Sequence, residues 1–441
     1  MLTTWSYLLL PALLGGVRGV AVADSVLSWQ GKYQVHRNPF YPVDVVEKFA
    51  ESSIPKVEAY MKKKIAAGKN NGCTLENAVV RREWSDMSIE MREEYVAATK
   101  CLMNLPGIAP RDKFPGVVSR FDDFVAYHMV HAAQLHDMLH LFAAHRYYVW
   151  VYEQALRNEC NYTGYQPYMN YDRYTKEPEK SPLFNGNSSS MGGTGEYDPN
   201  YIGVNQPARN PNLIKSAGGG GCVKSGPFSD MVVNLGPTSS STAPKNSVPR
   251  NPQSNGLGLN PRCLRRDINA AAALGATAAK MLTLLNNTDM NGFYNELLGN
   301  PPPKNDPYPW GVHTAGHYIH AVDPGGDPSS SPGDPVFYFH HGALDRLWWL
   351  WQMQDPEMRL NVIPTAGGMP PGSMPHRGER RGALGRWVDW VLAKRQEHEH
   401  EMNNIPAGSV IDLEFLAPSI PLVEAHDQLG GLGGKFCYIY V

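Results

Sequence analysis

Hydrophobic positions along this chain recur mostly at helical spacing. Over residues 42–66, Val43, Val46, Phe49, Ile54, Val57, Tyr60 and Met61 follow a period of about 3.6 residues, which predicts an amphipathic helix. Leu75 to Leu102 predicts two further helices, the second capped by Ser85, with Ser88 as the alternative, ahead of Glu90, Glu93 and Glu94. Phe121 to Leu141 carries the same period, and His145 then opens a helix over Arg146 to Glu159 rich in Tyr, Trp and Val. The periodicity is lost over 160–265, where Gly, Pro, Ser and Asn dominate. That stretch is too long for an ordinary loop and predicts an irregular wrap pinned by disulfides. Helical spacing returns over 267–298, over a short helix at 313–319 after a Pro-rich break, and over an aromatic helix at 336–352. Residues 366–382 predict a polar loop and 386–402 a charged helix, and 410–441 holds strand-like runs including Tyr438-Ile439-Tyr440. The fold class is therefore mainly α, wrapped by long irregular loops and a few short strands.

A chain of 441 residues suits one large domain or two ordinary ones. Forty Lys and Arg against 42 Asp and Glu leave a net charge of −2, without a long basic block, so nucleic-acid binding has no electrostatic footprint. Leu8 to Leu14 is an apolar run too short to span a bilayer, and Ala21-Val22-Ala23 suits a cleavage site, so residues 1–23 predict an export signal. No later segment is long and apolar enough to cross a membrane. Sequons at Asn161, Asn187 and Asn286 agree with secretion and glycosylation. Cys73, Cys101, Cys160, Cys222, Cys263 and Cys437 form an even set without a C-x-x-C pair, which in an extracellular protein predicts disulfides rather than a metal site.

The candidate chemistry lies in two histidine triplets, His128, His136 and His145, and His313, His317 and His341. Each sits in apolar, aromatic sequence, where an unsatisfied imidazole is costly. Any one alone is more readily a hydrogen-bonded core residue; six in two clusters suggest a paired-metal centre, since neutral imidazole is the commonest metal ligand and suits copper. His313 and His317 lie one turn apart on one helix face. His128 and His136 are about 80° apart on an ideal helix, so a bend must bring them together. A four-helix bundle with ligands projecting inward is the expected frame. His131, His140, His320 and His340 are nearby candidates for supporting or core roles. Asp345, one turn after His341, is placed to accept the second ring N–H of a ligand, with an exposed helix acid as the equal alternative. Asp122 and Asp123 are better read as caps of the helix carrying His128. Thr314, Tyr318 and Phe337 are candidates to border a substrate pocket, though core packing is the commoner fate of the two aromatic side chains.

Phe121-Asp122-Asp123-Phe124 leading to His128, His136 and His145-Arg146-Tyr147 resembles the first copper motif of tyrosinases and catechol oxidases. His313-x-x-x-His317 with Asp334-Pro335-Val336-Phe337-Tyr338-Phe339-His340-His341 through Asp345-Arg346 resembles the second. Together with Glu83-Trp84, Tyr165-Gln166-Pro167-Tyr168 and the Gly-rich stretch before Cys222, they resemble the short secreted fungal members. The resemblance implies two copper ions, O2 as co-substrate, small phenols as substrates, and His341 rather than His340 as ligand. It also implies that residues 24–441 form the copper domain, ending at the Tyr-x-Tyr motif without the shielding domain of longer relatives. Arg37 is the candidate partner of that motif, and 366–408 is an atypical insertion. Gln134 stands where many relatives carry a cysteine thioether-bonded to the second ligand, so no such crosslink is expected. Thr314 follows His313 where hydroxylating members commonly carry Asn, and no acid stands in Pro309-Trp310-Gly311-Val312. The expectation is a catechol oxidase producing o-quinones, with a monophenol-hydroxylating tyrosinase as the alternative. An oxygen carrier and a zinc-binding secreted protein are more distant ones.

Overall fold

A computed structural model describes residues 37–441 apart from 138–139, 207–209, 239–246, 301–305, 307 and 361–408. The expected export signal at 1–23 and the insertion at 366–408, with its expected loop and helix, lie outside the described residues.

Helix α1, Val45–Ala66, starts at an Asp44 capping box closed by Glu47. The region 75–102 yields one helix rather than two. Val79–Arg81 is a strand, Trp84–Asp86 a single 3-10 turn, and α2, Ile89–Asn104, is capped by Ser88 and not Ser85. The physical reason is local: the Ser85 hydroxyl is engaged by Glu83 and Arg173, and Ser88 accepts from the Met91 N–H instead.

The core is a bundle of four helices. In α3, Arg120–Leu135, Ser119 and Asp122 form a reciprocal capping box, while the Asp123 carboxylate accepts from the Ile108 and Ala109 N–H groups, so Asp122 caps as expected and Asp123 braces the preceding loop. The helix stops at Leu135, short of Leu141. His136 leaves helical geometry at φ −103° and ψ 5°, which supplies the bend that the first triplet needs. Helix α4, Leu141–Glu159, begins four residues before His145, so His145 sits in its second turn and does not open it. The stretch 267–298 breaks into α5, Ala270–Ala273, α6, Ala278–Leu285, and α7, Met290–Leu298, because Thr277 and Asp289 each start a new helix by capping it. Helix α8 is Val312–Tyr318, and α9, Val336–Gln352, is buried over its whole length. A helix buried on every face belongs at the centre of a large domain.

The wrap over 160–265 is mostly irregular. Short strands Gly195–Tyr197, Gly220–Val223, Arg265–Arg266 and Val322–Asp323 pair in that order, which ties the wrap to the loop preceding α9. Disulfides Cys101–Cys160 and Cys222–Cys263 pin it, and Cys73–Cys437 joins the two ends of the described chain. Beside Cys437, Tyr438–Tyr440 runs parallel to Val79–Arg81. Of the strand-like end, only Val410–Ile411, Ile420–Pro421 and Tyr438–Tyr440 are strands. No helix among the described residues is long and apolar enough to cross a membrane.

Candidate metal centre

Each histidine of the first triplet is oriented through Nδ1. The His136 ring N–H donates to the Ala132 carbonyl at 2.6 Å, one turn back, and His145 repeats this with Leu141 at 2.7 Å. His128 Nδ1 lies 2.7 Å from the Ser329 carbonyl, in the loop before α9. A carbonyl only accepts, so each Nδ1 carries the proton and each Nε2 keeps its lone pair for another partner. Nε2 of His128 and His145 is buried without a protein partner, as are Nε2 of His341 and Nδ1 of His317. Each bare buried nitrogen costs about 1–3 kcal/mol unless something binds it.

Ligand-capable nitrogens of His128, His136 and His145 lie within 4.8 Å of one another, and so do those of His313, His317, His340 and His341. The two groups abut. The His145 and His341 rings stack at 4.1 Å with planes 7° apart, and His136 faces His313 at 5.7 Å. Burial drives the His145 pKa down to about 3 and holds His128, His136, His317 and His341 below the ordinary imidazole value, with neighbouring imidazoles adding to the effect on His128, His145, His317 and His341. Neutral, lone-pair-bearing nitrogens converging in an apolar interior fit soft-to-borderline metal ions such as copper.

His340 departs from expectation. Consecutive helical residues point about 100° apart, so only one of His340 and His341 is expected to face the centre. The structure gathers both, because Gly316 on α8 leaves room for the His340 ring: a Cβ at Gly316 would lie 2.2 Å from its Nδ1. Tyr171 locks that ring, lying 2.7 Å from Nδ1 and donating to the His340 carbonyl at 2.9 Å. No sequence spacing points to Tyr171 or to the Ser329 carbonyl, since both act from irregular segments.

Asp345 also differs from expectation. Its carboxylate accepts from Arg146 Nε at 2.5 Å, Tyr438 at 2.8 Å and Tyr440 at 2.6 Å, with Arg81 at 3.4 Å, in place of a ligand imidazole. A buried carboxylate beside two guanidinium groups binds those in preference to a neutral ring. The partner of the Tyr-x-Tyr motif is accordingly Arg81, whose guanidinium lies 3.9 Å from the Tyr438 ring centre, whereas Arg37 pairs with Glu51 at 2.7 Å.

Phe337 is fully buried, its ring 4.2 Å from His341 and 5.3 Å from His128, so it packs beneath both groups. Tyr318 and Thr314 are buried along α8 with slight exposure. Of the nearby histidines, His131 bonds Glu414, His140 bonds Asp137, and His320 is buried against the Asp334–Arg266 ion pair. Asn161, Asn187 and Asn286 are all exposed, as glycan acceptors must be.

Comparison with known proteins agrees with this geometry. Residues 118–354 match the common central domain of tyrosinase. A tyrosinase-like protein of Emericella nidulans is 41% identical over 313 residues, 68% of this chain and 81% of that protein. An N-acetyl-6-hydroxytryptophan oxidase of the same organism is 36% identical, over 64% of this chain and 76% of its own length. A solved structure of a mutant polyphenol oxidase from Thermothelomyces thermophila superposes with a TM-score of 0.71 at 34% identity, covering 89% of this chain and 97% of that one. Proteins of this kind bind two copper ions through histidines and use O2 as co-substrate, and the two buried histidine groups fit that pair. The chain belongs to the tyrosinase family of copper oxidoreductases.

Proposed function

We propose that this protein oxidises o-diphenols to o-quinones, two diphenols being consumed and two waters formed for each O2. The carrying observation is the pair of abutting histidine groups whose bare nitrogens converge from α3, α4, α8 and α9. His128, His136 and His145 would hold one copper ion, and His313, His317 and His341 the other. When bound, the coppers supply a two-electron relay between the phenol and O2. The protein fixes the imidazole tautomers, keeps the rings neutral, and surrounds them with apolar side chains such as Phe337 that exclude water. His341 is assigned over His340 because its ring stacks on His145 of the other group and because it is the later of the two adjacent histidines; the Nε2 of both is bare, so the metal count of the two variants decides between them. His341→Ala is expected to lower bound copper by about one ion per chain and abolish catechol turnover, with His340→Ala retaining both ions. Metal analysis showing the reverse would exchange the two roles.

The diphenol preference rests on the α8 sequence. Thr314 follows His313, and the nearest preceding acid, Asp306, is closed in an ion pair with Lys280 at 2.7 Å. The test is a paired assay: quinone forms from 4-methylcatechol without lag and not from tyrosine. Comparable tyrosine turnover would make the protein a hydroxylating tyrosinase. Export through residues 1–23 accords with three disulfides among the described residues, which belong to an oxidising compartment. N-terminal sequencing of protein recovered from the medium checks it, with Asp24 as the expected first residue.

A further inference from the structure

Exposure varies systematically across the histidines. His128 and His340 are 0% exposed and His341 2%, whereas His313, Thr314 and His317 reach 8–9%, and His136 is only half-buried. The site therefore opens between the end of α3 and the His313–His317 face of α8. The residue after His136 is Asp137, at that opening. Its carboxylate is held in place by His140, accepting from the backbone N–H at 2.8 Å and lying 2.9 Å from the ring Nδ1, yet its side chain stays 45% exposed. The turn that carries it is itself anchored, because the Tyr294 hydroxyl donates to the His136 carbonyl at 3.1 Å. A fixed, exposed acidic group thus adjoins His136 at this edge of the site.

We propose that Asp137 is a specificity-determining residue, making the mouth favour catechols that carry a cationic group, such as a protonated amine on a short chain, over catechols that carry a carboxylate. The inference rests on the phenol-oxidase reading above and deepens it. A single unit charge several ångströms from a bound ion in a water-rich environment changes affinity by about threefold, in opposite directions for the two ligand charges, so their KM values should differ by about five- to tenfold at low salt.

The test uses the copper-loaded protein with dopamine, 4-methylcatechol and 3,4-dihydroxyphenylacetate. KM should rise in that order, and the spread should shrink in high salt and in Asp137→Asn. The same order is expected in dissociation constants for the copper-free protein measured by calorimetry, because the acid acts without the metal. Equal constants for the two charged catechols, or a spread insensitive to salt, would overturn the proposal even if the variant fails to fold. Absence of 4-methylcatechol oxidation by the wild type would instead sink the phenol-oxidase reading.

Discussion

At the scale of single residues, the centre depends on which ring nitrogen is left bare. His136 and His145 each spend Nδ1 on a carbonyl one turn back, an interaction that helical geometry provides whenever χ1 and χ2 allow it. His128 has no such partner within α3 and uses the Ser329 carbonyl, so the loop before α9 helps to orient a side chain of α3. Gly316 is the most constrained small residue of the site. An alanine there meets His340 Nδ1 at 2.2 Å and the Tyr171 ring at 2.9 Å. Gly316→Ala is therefore expected to cost about 1–3 kcal/mol through overpacking, despite the better helix propensity of alanine. A lowered unfolding midpoint in the copper-free variant checks this, and an unchanged or raised midpoint would mean that α8 has slack to move away from α9.

Among the elements, the contact between α4 and α9 matters most, because it sets the His145–His341 stack. One residue beyond His145, Arg146 reaches across to Asp345, one turn beyond His341, and also donates to the Ala425 and His426 carbonyls. Removing one side of a buried, hydrogen-bonded ion pair costs about 3–5 kcal/mol. Arg146→Met should lose stability on that scale and loosen copper retention, measured by chemical unfolding and by metal content after dialysis. A loss below about 1 kcal/mol would show that the two tyrosines and Arg81 hold Asp345 unaided. The helices of this bundle were legible in sequence because their apolar periodicity is strong, and the α9 expectation of 336–352 matches Val336–Gln352 in full. The boundaries that failed did so through polar competition. Glu83 engages the Ser85 hydroxyl, His136 leaves the helix, and Thr277 and Asp289 restart it, all local hydrogen-bond choices to which a hydrophobic pattern is blind. The six histidines were visible as two clusters. The true partners of Asp345 were not, since Tyr438 and Tyr440 arrive from the end of the chain, and a long-range strand pairing has no local signature.

Over the whole molecule, neutral buried histidines couple stability to pH. Burial lowers the folded pKa of His145 to about 3 and that of His426, packed on Trp348, to about 4, and holds His128 and His341 well below the ordinary value. As pH falls through about 6.5, the unfolded chain takes up these protons first, so the folded state loses stability from there down to the folded values. Above about 6.5 neither state is protonated and this contribution is constant. The copper-free protein should show an unfolding midpoint that is steady from pH 8 to 7 and falls progressively toward pH 4; a midpoint rising on acidification would contradict the burial described. Copper release should follow the same direction, since protons and metal compete for the same nitrogens.

Anomalous X-ray scattering at the copper absorption edge, from crystals of the metal-loaded protein, tests the central claim most directly. The account predicts two peaks per chain, one bounded by His128, His136 and His145 and the other by His313, His317 and His341. A single peak, or copper located away from either group, would contradict it.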